Sequence, residues 1–272
     1  MLRSLKDLER YTVSAIDGDI GVVTNFLIDD ERWIVRYLVA ETGGFFVGGR
    51  GVLISPISFR RADGASRSFH LALTKDKIKN SPSIDTDQPV SRQHERDYDQ
   101  YYGYPSYWGS SGILGVSTFP GTLAIGGWDR PPVVPDHSHD DVHLRSARQI
   151  RGYGVRASDE AIGHVDDFVV DDETWEVRYL VVDTSNWWFG KKVLIAPRWA
   201  TSVSWDERQV HVGLTAATIK DSPEWDPSAA VNREYEARLY DYYGRPVYWD
   251  PRAQPPEAKP PQNPGHAIRG FG

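Results

Sequence analysis

Asp29-Asp30-Glu31-Arg32-Trp33-Ile34-Val35-Arg36-Tyr37-Leu38-Val39 returns later in the chain as Asp171-Asp172-Glu173-Thr174-Trp175-Glu176-Val177-Arg178-Tyr179-Leu180-Val181. Each copy starts with acidic turn residues and runs into an alternating apolar stretch, the pattern of a hairpin tip feeding a β-strand. Working outward, Leu2 to Thr42 realigns on Leu144 to Thr184 at a constant offset of 142, with roughly half of the positions identical. A one-residue deletion then sets the offset to 141. Val52-Leu53-Ile54-Ser55-Pro56 matches Val193-Leu194-Ile195-Ala196-Pro197, and Tyr101-Tyr102-Gly103-Tyr104-Pro105 matches Tyr242-Tyr243-Gly244-Arg245-Pro246. Two homologous domains in tandem follow. The bounds are 1–108 for the first with its aromatic arm, 109–143 for a Gly/Pro-rich linker, 144–250 for the second with its arm, and 251–272 for a disordered tail.

The remaining signals describe one small β unit, read twice. Asp17-Gly18 marks a hairpin turn. Gly21 and Gly163 fall where the chain needs a bulge or a close backbone approach. In the return strand Trp33, Val35, Tyr37 and Val39 share the core face. Ile34 and Arg36 share the other face, where the second copy has Glu176 and Arg178, so Ile34 reads as a replaceable surface position. Val52–Ile54 and Val193–Ile195 are apolar strands ended by proline. Phe69, Leu71 and Leu73 point inward on a last strand, and Thr74 and Thr215 cap short helices that stop at Ser81-Pro82 and Ser222-Pro223. The expected class is all-β, two small barrels, each with a short helix and an aromatic C-terminal arm.

Composition narrows the function. A net charge of −7 lacks the basic footprint of a general nucleic-acid binder. The absence of cysteine removes disulfides and thiolate chemistry. No signal-peptide core or membrane-length apolar run is present, so cytoplasmic residence is the expectation.

The Gly between the first strands, the Asp-Asp turn, the aromatic-Val-x-Tyr-Leu-Val strand, the Val-Leu-Ile-x-Pro strand and the Leu-Thr-x-x-x-Ile-Lys-x-Ser-Pro helix together resemble the PRC-barrel family. That family takes its name from the cytoplasmic domain of the photosynthetic reaction-centre H subunit, and includes the C-terminal domain of a ribosome maturation factor. The resemblance covers about residues 5–82 and 147–223, as two tandem copies. It implies an assembly or docking module of the stand-alone bacterial type, with no cofactor and no enzymatic activity.

Candidate sites are few. His137, His139 and His143 in the linker offer imidazoles at metal-ligand spacing beside Asp140, or form a solvated polar run. His70 and His211 occupy equivalent outward positions, as surface residues or as a pH-sensitive contact between barrels. Asp29-Asp30-Glu31 lacks the spaced oxygens of a calcium loop and reads as a turn. Phosphate-loop and nucleophile-elbow motifs are absent. The arms carry the densest signal: Tyr98, Tyr101, Tyr102, Tyr104, Tyr107 and Trp108 in one, Tyr235, Tyr240, Tyr242, Tyr243, Tyr248 and Trp249 in the other. They either fold over a barrel or form a recognition surface, extended by Phe45-Phe46 and Trp187-Trp188-Phe189.

The expectation is a non-catalytic adaptor that docks a partner protein or a copy of itself, with the barrels paired as an intramolecular pseudo-dimer and Tyr107, Trp108, Tyr248 and Trp249 as anchors. One alternative is a small-molecule or metal-binding module using the linker histidines or an inter-barrel cleft. Another is an RNA- or ribosome-associated factor using Arg50, Arg60, Arg61 and Arg67.

Overall fold

The Asp-Asp-x-x-x-Trp stretches form hairpin tips, and those tips join the two halves of the molecule. The computed structural model describes residues 1–42, 50–82, 90–105, 142–184 and 190–250. Its first half comprises β1 (Leu2–Ser4), α1 (Leu5–Leu8), β2 (Thr12–Ala15), β3 (Gly18–Asp29), β4 (Ile34–Thr42), β5 (Arg50–Ile54), β6 (Phe59–Asp63), β7 (Ser68–Leu71), α2 (Lys75–Lys79), β8 (Val90–Ser91) and α3 (Arg92–Tyr102). The second half comprises β9 (Val142–Ser146), α4 (Ala147–Ile150), β10 (Gly154–Arg156), β11 (Ala161–Asp171), β12 (Val177–Asp183), β13 (Lys192–Ile195), β14 (Ala200–Ser204), β15 (Gln209–Val212), α5 (Ala216–Lys220) and α6 (Arg233–Tyr242). The two sheets repeat one strand order, β5-β4-β3-β2-β7-β6 and β13-β12-β11-β10-β15-β14. In each, the β2–β7 or β10–β15 pair is parallel.

Local chemistry explains the elements. Thr74 and Thr215 accept from the N–H groups of Lys77 and Thr218 and so start α2 and α5. At Gly21 a Cβ would lie 2.0 Å from the Glu41 carbonyl oxygen; at Gly163, where φ is +146°, it would lie 1.9 Å from that of Asp183. Only glycine lets the long strand press this closely on its neighbour. Register shifts beside both glycines mark the bulges where β3 and β11 bend.

The leading segments are exchanged between the halves. β1 pairs antiparallel with β11, Leu2 opposite Asp171, while β9 pairs antiparallel with β3, Leu144 opposite Asp29. Each lead therefore belongs in sequence to one copy and in space to the other copy's sheet. β9 also starts at Val142, inside the expected linker.

At the tips, the Val35 N–H donates to the Trp175 carbonyl at 2.8 Å and the Val177 N–H donates to that of Trp33 at 2.7 Å. Ile34 bridges Glu176, its own equivalent, and Glu9 pairs with Arg151, likewise its equivalent, at 2.7 Å. Equivalent residues meet only across a two-fold axis, so the halves pack isologously within one chain.

This geometry corrects the reading of Ile34. It is 2% exposed, because the tip that carries it is covered by the opposite tip. Arg36, expected on the same outer face, is also buried and paired with Asp29. Strict alternation assumes one solvated face, whereas Ile34 to Ala40 is buried on both.

Candidate functional site

Both aromatic arms return to their own barrels. In the first, the buried Tyr98 ring meets Tyr37 edge-on at 5.0 Å, and its oxygen accepts from the Ser55 N–H at 2.9 Å. The Tyr104 hydroxyl bonds that of Ser58 and the Tyr101 hydroxyl donates to the Lys77 carbonyl. In the second, Asn232 caps α6, and Tyr240 and Tyr243 lie 5.3 and 4.7 Å from Trp199. The Tyr242 hydroxyl donates to the Thr218 carbonyl, as Tyr101 does to Lys77. The arms thus complete the cores, because tyrosine can bury its ring while its hydroxyl reaches a partner.

A buried carboxylate organises the second arm. Glu236 Oε1 accepts from the hydroxyls of Tyr179 at 2.8 Å and Tyr248 at 3.0 Å, while Arg233 donates to Oε2 at 3.0 Å. The Arg233 guanidinium also lies 4.3 Å from the Trp249 ring centre, and that of Arg178 lies 4.1 Å from Tyr248's. Burial, then the Glu236 charge, pushes the Tyr248 phenol up to about 12. Burial also raises Tyr240 and Tyr179. These phenols stay protonated at neutral pH, and those of Tyr179 and Tyr248 serve as neutral hydrogen-bonding groups.

Of the four expected anchors, Tyr248 and Trp249 are half-buried on this arm, whereas Tyr107 and Trp108 lie outside the described residues. So do Phe45-Phe46, Trp187-Trp188-Phe189, His137 and His139; of His143 only the backbone, in β9, is described. Two of the four arginines are engaged within the fold. Arg50 donates to the carbonyls of Lys79 and Ser81, and Arg67 donates to the Asp7 carbonyl and stacks over Tyr11. Arg60 is exposed, and the Arg61 side chain is outside the described set. His70 bonds Ser68 within its own barrel.

The carboxyls raised by burial lie at the joint between barrels. Asp167 accepts from the Ser4 hydroxyl and, at 3.2 Å, from the Lys6 N–H of the exchanged lead. Burial is the largest influence on its acidity and lifts it above the usual carboxylate range. Its equivalent is Asn25, whose amide donates to Ser146 at 2.8 Å and accepts from the Arg148 N–H. Glu176, also raised first by burial, faces Arg178 at 2.6 Å beside the tip bridge. Perturbed carboxyls often mark active sites, but here the exchanged lead covers Asp167 and the opposite hairpin tip covers Glu176.

Asp167 yields a signed prediction. Its folded pKa lies above the unfolded one, so protonation favours the fold; that stability is present below the unfolded pKa and lost as pH rises through the folded one. Asp167→Asn, which copies Asn25, should stabilise the chain at pH 7 by on the order of 1 kcal/mol. Thermal melts from pH 4 to pH 7 should show the gain shrinking towards acid. A variant less stable than wild type at pH 7 would mean that the contacts of the charged Asp167, including Arg151 at 3.8 Å, outweigh its burial.

One cluster escaped the sequence reading. His164 and Asp166 on β11 and Asp183 on β12 offer ligand atoms all within 4.8 Å of one another. The first copy has Val22, Thr24 and Glu41 at these positions. A comparison of the copies for their differences, rather than their identities, would have exposed it.

The glycine-bent long strand, the proline-ended strand, the capped short helix and the exchanged lead are now all in place in the second half. Residues 143–221 match the PRC-barrel domain. The matched span runs from β9 to the end of α5, so α6, Tyr248 and Trp249 lie beyond it. A protein of Deinococcus radiodurans, named only as uncharacterized, is 32% identical over 99 residues, which is 31% of this chain and 35% of that protein. The chain thus spans about a third of the length of that relative. The PRC-barrel match and the two multi-stranded sheets agree with the expected mostly-β class. Among the described residues, no helix is long and apolar enough to cross a membrane.

Proposed function

We propose that this chain is a non-catalytic adaptor that docks a partner protein, and that its residues 1–108 form a second PRC-barrel unit. The repeated strand order and the reciprocal exchange of leads support the second statement. One observation carries the first: Tyr248, Trp249 and Arg233 form a fixed, partly exposed aromatic–arginine patch. Arg233 is 60% exposed, while its contacts to Glu236, Tyr248 and Trp249 hold the patch in one arrangement. Trp, Tyr and Arg are the residue types that dominate interface hot spots, and a preorganised patch loses little entropy on binding. Tyr107 and Trp108 are its counterparts in the first copy.

The RNA-associated alternative draws no support from Arg50 and Arg67, whose guanidinium groups are engaged with backbone carbonyls.

The test is capture from a soluble extract of the native organism by the full chain and by a Trp108→Ala, Trp249→Ala double variant. Wild type should retain a stoichiometric, nuclease-resistant protein. The variant should lose it, with a melting temperature within a few degrees of wild type. Equal capture by both would remove the anchor role, and a variant that unfolds would make the two tryptophans core residues.

A further inference from the structure

We propose that His164, Asp166 and Asp183 form a binding site for a divalent first-row transition metal ion, with zinc as the reference. Among the described residues, this is the group of three such side chains whose donor atoms fall together. The sheet builds it. His164 lies directly opposite Asp183 in the β11–β12 register, and Asp183 lies opposite Lys192 in the β12–β13 register. Asp166 is the extra residue at the register shift between Val165 and Asp167. The bulge brings its carboxylate beside the other two groups.

Two carboxylates and an imidazole suit a borderline ion, and three protein ligands leave a position for water. All three side chains are partly exposed, so an ion can enter. The site belongs to the second barrel alone. Half of the aligned positions are identical between the copies, yet here all three differ, and Val22 and Thr24 offer no comparable ligands.

Asp166 now has two ammonium partners: Lys6 Nζ is 2.5 Å from Oδ1 and Lys192 Nζ is 2.7 Å from Oδ2. Burial alone would raise the Asp166 carboxyl, but the hydrogen bonds from Lys192 and Lys6, together with their charge, hold it below its usual range. A metal ion takes over this counter-charge and competes with both lysines. Lys6 belongs to α1 of the exchanged lead, so occupancy of the site and docking of the lead share one carboxylate. This site does not depend on the docking reading above.

Titration calorimetry on the full chain with zinc, nickel, magnesium and calcium chlorides tests the site. Zinc and nickel should bind at one site per chain with a dissociation constant below about 100 µM, and magnesium and calcium should not. His164→Val and Asp166→Thr install the first copy's own residues and so preserve the fold; each should weaken zinc binding by about tenfold or more. Lys6→Ala should tighten it, because the competing ammonium is gone. A His137→Ala, His139→Ala, His143→Ala variant should bind as wild type. The proposal fails if zinc gives no saturable heat, if His164→Val binds as well as wild type, or if the linker variant alone abolishes binding.

Discussion

Trp175→Ala should cost about 3–5 kcal/mol, and its damage should fall in the barrel that does not contain residue 175. The Trp175 ring leaves its own sheet at the hairpin tip. It enters a box formed by Phe26 at 6.4 Å, Phe59 at 5.2 Å and Phe69 at 6.0 Å, all from the first copy. It is 3% exposed, so truncation leaves a cavity in a foreign core. Trp33 occupies the equivalent place, but the positions equivalent to that box are Phe168, Ala200 and Val210, and Trp33 is only partly buried. Trp33→Ala should therefore cost less, roughly half as much by the scaling of lost buried area. Both tryptophans have positive φ, 55° and 64°, so backbone strain is common to both substitutions and the difference isolates packing. Urea denaturation of the two variants measures it. Equal midpoints would show that the aromatic box does not hold the barrels together.

That asymmetry separates what the residues state locally from what they do not. The hairpin tips, the bulge glycines and the Thr-capped helices were legible because each depends on chemistry within a few residues of itself. Thr74 finds the Lys77 N–H whatever the rest of the chain does. The exchange of leads was not legible. β3 and β11 are close copies, so Leu2-Arg3-Ser4 suits either sheet, and the choice rests on distant contacts such as Arg3 with Asp172 and Arg145 with Asp30. Ile34 was misplaced for the same reason: it is covered by a tip 142 positions away in sequence. The arms were half legible. Their tyrosines demanded burial beside polar partners, but nothing local said that Tyr240 would meet Trp199. The His164 cluster is a cross-strand assembly, and a cross-strand neighbour is invisible until the register is known.

Arg36→Met should destabilise the chain by about 3–5 kcal/mol, because it strands a buried carboxylate. Arg36 and Asp29 are each 2% exposed; two guanidinium nitrogens donate to Asp29 Oδ2, at 3.2 and 3.1 Å. Asp29 Oδ1 is occupied by the N–H groups of Glu31 and Arg32, which shape the hairpin tip. The charge cannot be moved into water without opening that tip, and the tip joins the barrels. The equivalent pair is looser. Arg178 and Asp171 are 3.5 Å apart, with side chains 11% and 20% exposed, and Arg178 also has Glu176 at 2.6 Å. Arg178→Met leaves carboxylates that water can reach, so its cost should stay nearer 1–2 kcal/mol, within the range for a lost charged hydrogen bond. The decisive variant is Arg36→Met combined with Asp29→Asn. The amide oxygen of Asn can still accept from Glu31 and Arg32, while the buried charge is gone. The double variant should recover at least half of the stability lost in Arg36→Met, as expected when both partners of a buried pair are neutralised together. Thermal and urea melts of the three variants decide it. If the double variant is no more stable than Arg36→Met, the Arg36 side chain matters through its packing and the stranded-charge account is wrong.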